Sequence, residues 1–306
     1  TSKDGRFVYF SRPSFADVVA IGVKTGRIAW RVKIDGYRSD HMALSPDGRR
    51  LLVSASTARN VNVIDTRRGR IVARFASGDQ PHENNFSRDG KRVFHASIGS
   101  VFTELDDPAQ DSTKGDRFFE IVATRTWKVK RRIVMGPKLA EFGRPGMSSA
   151  VRPMAISPDE RYVYFQLSFF FGIVQYDLRA DKVVAVLDLP LGAAEGLGRG
   201  DLLLDSAHHG LGMNPQGTKL CVAGTMSDYA GIVSGKPFEV QRIVNVGDVP
   251  YWSHSSEDGK HCFVSVAGED RVAVISYKTG REVKRIKVGD HPQRMRTGTV
   301  QARLVR

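Results

Sequence analysis

Histidines recur at one place in the local sequence pattern, where they could bind a metal ion. Six of the eight histidines in the chain lie near the start of a short predicted strand: His41, His82, His208, His209, His254 and His291. Imidazole is the commonest metal ligand and titrates near neutral pH. Two to four imidazoles with a carboxylate such as Glu83 or Asp205 suit copper, iron, zinc or nickel.

Two interpretations of these histidines stay open. In the first, His41, His82 and His209 either bind a transition metal such as copper, iron or zinc or act, with His254, as catalytic acid–base groups. The side chains that would orient them are Asp40, Asp205, Asn84 and Asn85. In the second, the imidazoles only form hydrogen bonds to water or to the neighbouring strand.

Other side chains near the same positions suit an organic ligand. The candidates for substrate binding are Arg152, Glu83, His208, Tyr251, Trp252 and His291. Arg152 can pair with a carboxylate or phosphate. Aromatic residues 169–171, Met226 and Tyr229 offer apolar walls, although residues 169–171 can equally pack in the core. His95 is either a core residue or part of the rim.

A repeated turn positions these residues. Its copies are residues 2–5, 45–48, 87–90, 157–160, 214–217 and 256–259, most of them reading Ser-x-Asp-Gly. Successive copies are separated by 43, 42, 70, 57 and 42 residues. A period of this length, with insertions in two units, is typical of propellers and solenoids.

Each repeat predicts four short strands. In the second repeat, HMALS, RRLLVSAS, NVNVIDT and RIVARFAS are rich in Val, Ile, Leu and Phe and are separated by turn residues. Four antiparallel strands per unit make a propeller blade. We therefore expect an all-β, six-bladed β-propeller as a single domain spanning residues 1–306. A C-terminal strand within residues 289–300 should complete the N-terminal blade and close the ring.

The repeat resembles the YVTN family of β-propellers and is similar to the propellers of nitrous-oxide-reductase-like proteins. The matching residues are Val288, Gly289 and Pro292, the turn at 45–48, the strand at 162–164 and the run Val63, Ile64, Asp65 and Thr66. The resemblance covers essentially the whole chain. It implies a WD40-like propeller, usually of seven blades, and export from a bacterial cell. Such propellers host lactonases, lyases, haem and copper proteins and scaffolds, so it implies no single activity.

Three insertions are expected on one face of the propeller, at residues 103–114, 137–150 and 191–206. Each would lie either between the second and third strands of a blade or before a first strand. Long loops on a rigid scaffold commonly carry binding and catalysis. The predicted site is therefore at the mouth of the central channel, beneath these loops.

Composition limits the partners and the compartment. The net charge of +13 is spread over turns, which favours a solvated surface over a nucleic-acid groove. The sequence contains neither the apolar run of a membrane span nor a signal-peptide pattern after Thr1. We expect a monomer. Cys221 and Cys262 are predicted in separate sheets as buried, unbonded residues.

The sequence predicts a protein that processes or binds a small molecule at a histidine-rich channel mouth, in its strongest form a metal-dependent enzyme. Motifs of serine hydrolases, P-loop enzymes, c-type haem proteins and HExxH metalloproteases are missing. The alternatives are a module that binds a ligand or metal without turnover and a protein-interaction scaffold.

Overall fold

The computed structural model describes residues 1–102 and 113–305. Within these residues, one α-helix and 23 β-strands are assigned. The strands form six antiparallel sheets, five of four strands and one of three. These sheets are the blades of a six-bladed β-propeller, which confirms the predicted fold class and blade count.

One compact unit comprises Thr1–Ser100, Thr113–Met135 and the residues from Gly298 onward. Its strands are β1 (Phe7–Arg12), β2 (Asp17–Gly22) and β3 (Ile28–Lys33) in blade one, β4 (Ser39–Leu44), β5 (Arg50–Ala55), β6 (Asn60–Asp65) and β7 (Arg70–Ala76) in blade two, and β8 (Pro81–Phe86), β9 (Arg92–Ser97), β10 (Phe119–Ala123) and β11 (Lys128–Ile133) in blade three.

The other compact unit comprises Gly136–Thr297 with residues 101 and 102. Helix α1 (Met135–Glu141) precedes its first sheet. Its strands are β12 (Val151–Ile156), β13 (Tyr162–Leu167), β14 (Gly172–Asp177) and β15 (Lys182–Asp188) in blade four, β16 (Leu211–Met213), β17 (Lys219–Gly224), β18 (Tyr229–Gly235) and β19 (Phe238–Asn245) in blade five, and β20 (Pro250–Ser255), β21 (His261–Val266), β22 (Arg271–Ser276) and β23 (Arg281–Lys287) in blade six.

The repeated turn is stabilised by its own side chains. Ser45 Oγ donates to Asp47 Oδ1 at 2.5 Å, and the backbone N–H of Arg49 donates to the same oxygen at 3.0 Å. These hydrogen bonds hold the pKa of Asp47 below its usual value. Gly48 has a φ of +74°, a conformation that glycine adopts without strain. The turn fixes where the first strand of each blade ends and the second begins.

Apolar residues are buried between neighbouring sheets. Leu51 and Val53 of β5 pack against Val18 of β2 and Val32 of β3. The opposite face of blade two supplies Leu52 to a second cluster, which it shares with blade three. Because both faces of a middle strand are covered, β5 has five consecutive buried residues, whereas β7 and β23 alternate or are largely exposed.

The C-terminal segment lies against blade one, as predicted, but not as a strand. Gln301 Nε2 donates to the backbone oxygen of Asp4 at 3.1 Å. A Cβ on Gly5 would lie 3.1 Å from Thr299 O and from Val300 Cα. No strand is assigned after β23 in the described chain, so blade one has three strands instead of the expected four.

The prediction that Cys221 and Cys262 are unbonded was wrong. They form a disulfide, and both side chains are fully buried. They lie in separate sheets, as predicted, on β17 and β21. Equivalent positions of adjacent blades face each other across the interface, which brings their Cα atoms to 6.3 Å, within the range a disulfide spans.

Two of the three predicted insertions lie in described parts of the chain. Residues 137–150 contain most of α1 and lead into β12. Residues 191–206 contain the short 3-10 turns Gly192–Ala194, Arg199–Asp201 and Leu203–Asp205 and precede β16. The insertion at 103–114 falls almost entirely outside the described residues. No helix in the described parts of the chain is both long and apolar enough to cross a membrane.

Candidate functional site

A β-bulge in the first strand of blade two presents two of the predicted site residues. Ser39 pairs with Ala55, and the next pair is Met42 with Val53. Asp40 and His41 therefore both lie opposite Ser54, so the ladder is interrupted there. Bulges re-aim side chains and are over-represented beside active sites.

The same irregularity recurs in other blades. In β8 it involves His82 and Glu83, in β12 Arg152 and Pro153, and in β20 Tyr251. The first bulge residue always stands seven positions before the third residue of the following turn, and His209 of blade five has the same offset. The five side chains with this offset are Asp40, His82, Arg152, His209 and Tyr251, and all are at least 92% buried.

The bulges of blades two and three bring two imidazoles and a carboxylate together. His41 Nδ1 lies 2.5 Å from Glu83 Oε2, and because a carboxylate accepts, this nitrogen carries the donated proton. The rings of His41 and His82 have centroids 3.8 Å apart. Asn85 Nδ2 donates to the other Glu83 oxygen at 3.2 Å. A carboxylate on one ring nitrogen is the arrangement that orients metal-ligating histidines through the other nitrogen.

His209 lies among aromatic side chains of its own compact unit, which we call the aromatic part. Its ring centroid is 4.6 Å from that of Tyr251 and 5.8 Å from that of Trp252. Burial, together with the charges of Arg152 and Arg294, lowers the pKa of His209 well below its usual value. The imidazole is therefore neutral near pH 7, the form that a metal ligand requires.

Close packing fixes the backbone beside His209. Gln166 Oε1 accepts a hydrogen bond from the N–H of Gly210 at 2.9 Å, and Gln166 Nε2 donates to Gly210 O at 3.2 Å. A Cβ at Gly210 would lie 2.6 Å from Ser253 N and 2.7 Å from Trp252 Cα. Only glycine fits here, because the backbone of blade six approaches so closely.

Guanidinium groups flank the aromatic part. Arg152 is 1% exposed, and its Nε donates to Ser168 Oγ at 2.9 Å while a terminal nitrogen donates to Leu204 O at 2.5 Å. The guanidinium carbon of Arg296 lies 4.5 Å from the ring centroid of Trp252, a cation–π geometry. The insertion at 191–206 and the C-terminal segment therefore both reach the aromatic part.

Hydrogen bonds tie that C-terminal segment to blade six. Ser265 Oγ donates to Gln293 O at 2.5 Å, and Thr297 Oγ1 donates to Ser255 O at 3.0 Å. Arg294 lies between these two anchored residues in the sequence. The anchors hold it near enough for its charge to lower the pKa of His209.

The remaining predicted histidines make other contacts. His208 lies between Phe171 and Tyr229, with its Nε2 3.2 Å from Tyr229 Oη, and burial lowers its pKa to about 3. His254 Nδ1 lies 3.0 Å from both Ser255 O and Thr297 Oγ1. His291 is exposed, and its backbone N–H donates to Asp270. Their predicted catalytic and substrate-binding roles stay predictions.

Comparison with solved structures supports the fold. The chain is similar to a functionally unknown protein from Desulfotomaculum acetoxidans DSM 771, with 15% identity and a TM-score of 0.67. The match covers 94% of this chain and 83% of that one. At this identity the similarity shows a shared fold and nothing about activity. The chain matches no protein-family model and no curated protein, so membership of the YVTN family stays a prediction.

Sequence reasoning missed Gln166, Arg294 and Arg296. A signal for Arg294 was present, because continuing the 42-residue period beyond Asp258 gives position 300, and residues 293 and 294 then occupy the bulge offsets. Gln166 lies opposite the bulge of β12, and this strand pairing is seen in the structure. Arg296 has no corresponding signal.

Proposed function

We propose that the protein binds a transition-metal ion through His41, His82 and His209 and uses it on a small anionic molecule. The observation that carries this proposal is the pairing of His41 and His82, whose ring centroids lie 3.8 Å apart, with Glu83 Oε2 2.5 Å from Nδ1 of His41. His209 is also buried, with its pKa lowered so that its imidazole is neutral, and it supplies the third ring nitrogen in this proposal. A metal ion would draw them into its coordination sphere.

The donor set favours a catalytic ion over a structural one. Structural zinc sites use four protein ligands, whereas catalytic sites use three and keep a position open for water or substrate. Three imidazoles suit zinc, copper and iron. Bound there, the ion would polarise a substrate oxygen or activate a water molecule. Glu83 would hold the ring of His41 in orientation, as outer-shell carboxylates do.

The surroundings of His209 support an anionic substrate with a flat apolar part. Arg152 and Arg294 both lie near enough to act on the charge state of His209. Guanidinium groups bind carboxylate and phosphate through paired hydrogen bonds. Tyr251 and Trp252 offer the apolar wall, and both are buried. An aromatic or unsaturated carboxylate matches this combination.

Metal content tests the proposal. Untagged protein, purified without chelator, is analysed for zinc, copper, iron and nickel beside His82→Ala and His209→Ala, with His291→Ala as the control because His291 is exposed. We expect about one equivalent of metal in the native protein and the control, and about a tenth or less in the other two. Absence of metal after loading with each ion, or equal content in all four proteins, would overturn the proposal.

A further inference from the structure

Blade three carries a polar pair where its neighbours carry an apolar one. Directly after the bulge, Asn84 pairs with His95. The equivalent pairs are Met42 with Val53 in blade two and Met154 with Phe165 in blade four. Asn84 and His95 are at most 1% exposed. Burying polar groups is costly unless they are hydrogen-bonded, and the neighbouring blades show that the fold does not require them here.

The polar pair belongs to a hydrogen-bonded chain. Ser77 Oγ lies 2.7 Å from His95 Nε2, and His95 Nδ1 lies 2.9 Å from Asn84 Oδ1 and 3.0 Å from Glu83 O. Both groups facing Nδ1 are acceptors, so Nδ1 carries the proton and Nε2 accepts from the Ser77 hydroxyl. Asn84 Nδ2 then donates to Ser54 Oγ at 2.7 Å.

The chain ends on the backbone of the bulge. Ser54 Oγ donates to His82 O at 2.7 Å, and Asn84 Nδ2 is 3.4 Å from the same oxygen. With the bond from His95 to Glu83 O, both bulge carbonyls are held by side chains. A bulge leaves such groups without ladder partners, so these bonds fix the backbone from which the His82 and Glu83 side chains project.

We propose that Ser77, His95, Asn84 and Ser54 form a positioning network for the metal site. It sets the orientation of the His82 ring and of the Glu83 carboxylate that accepts from His41. This inference rests on the proposed function. The residues touch no substrate and act only through His82 and Glu83. An apolar pair would pack equally well, as in blades two and four, but would leave the bulge free to shift.

The test replaces the polar pair by the apolar pair of blade four. Metal-free protein carrying Asn84→Met and His95→Phe is titrated with Zn²⁺ by calorimetry, and its thermal midpoint is measured without metal. We expect the midpoint to be unchanged or raised, while the Zn²⁺ affinity falls by about 10–100-fold, the usual effect of removing outer-shell partners. A variant that only destabilised the fold would instead lower the thermal midpoint and leave the Zn²⁺ affinity nearly unchanged.

Two further variants complete the test. Met154→Leu in blade four changes an equivalent, volume-conserving position, and its Zn²⁺ affinity should equal that of the native protein. Ser77→Ala removes only the hydroxyl that donates to His95 and should lower the Zn²⁺ affinity several-fold. This variant keeps the inference testable if the double variant misfolds. Native affinity in both the double variant and Ser77→Ala would overturn the network but leave the metal site standing. A native protein that binds no Zn²⁺ or other transition metal would overturn both.

Discussion

Lowering the pH should destabilise the protein through His95 by an amount that the structure allows to be worked out. This fully buried imidazole has a pKa of about 3, lowered by burial from its ordinary value of 6.5. Between these two values the unfolded chain binds the extra proton and the folded protein does not, so stability decreases as the pH falls. The contribution is complete above pH 6.5. A pH of 5 lies about 1.5 units below the ordinary pKa of histidine, and each unit corresponds to about 1.4 kcal/mol. The free energy of unfolding is therefore lower at pH 5 by about 2 kcal/mol.

Urea unfolding followed by tryptophan fluorescence at pH 7.5 and pH 5.0 measures this loss. The Asn84→Met/His95→Phe variant lacks the titrating group, so its free energy of unfolding should fall by about 2 kcal/mol less between the two pH values than that of the native protein. The buried His208 and His254 are present in both proteins, so their contributions cancel. An equal decrease in both proteins would refute the assignment of a neutral, buried His95 to this part of the pH dependence.

Two further predictions concern covalent and ionic contacts. Replacing Cys221 and Cys262 together by Ala should lower the free energy of unfolding by about 2–5 kcal/mol, and urea midpoints equal to those of the native protein would contradict a stabilising disulfide. Arg12→Ala removes two hydrogen bonds of 2.8 and 2.6 Å to Asp17, a carboxylate 1% exposed that keeps Arg31 at 3.6 Å, and at pH 7 it should lower the free energy of unfolding by more than Arg6→Ala does. The pKa of Asp17 is lowered in the fold mainly by Arg12, so this cost should shrink as the pH falls below 4, and a cost independent of pH would exclude the ion pair as its cause. Arg6→Ala, which breaks an exposed pair, is the control and should cost less than about 1 kcal/mol.

The fold could be predicted because the turn is chemically explicit. Ser45, Asp47 and Gly48 each supply a hydrogen bond or a backbone conformation that the turn needs, and the motif recurs with a fixed period. The repeat therefore gave both the blade and the number of blades. The irregular C-terminal segment could not be predicted in the same way, because it carries no such turn and contacts blade one through loop atoms.

The residues of the candidate site could be selected from the sequence, but their geometry could not. His41, His82 and His209 stand out as histidines, but His41 lies six residues before the third residue of the following turn, whereas His82 and His209 lie seven residues before it. The offset of seven becomes visible only when His82 and His209 are aligned with Arg152 and Tyr251, residues of other types. Each bulge has two adjacent positions. His82 and His209 have the offset of the first position, and His41 has that of the second, one residue closer to the turn.

Contacts between blades were beyond the sequence. The Cys221–Cys262 disulfide needs the facing distance of two strands, which no repeat period specifies. The bond between His41 and Glu83 likewise joins the second bulge positions of two neighbouring blades. A repeat fixes the structure within a blade, whereas the approach of one sheet to the next depends on side-chain packing across the interface.

Anomalous diffraction from crystals of metal-loaded protein tests the central claim most directly. We predict one strong peak at the site, about 2.0–2.1 Å from a ring nitrogen of each of His41, His82 and His209 if the ion is zinc, with Glu83 on the Nδ1 side of His41. A peak bound elsewhere, for example at the exposed His291, or no ordered peak despite loading, would contradict the account.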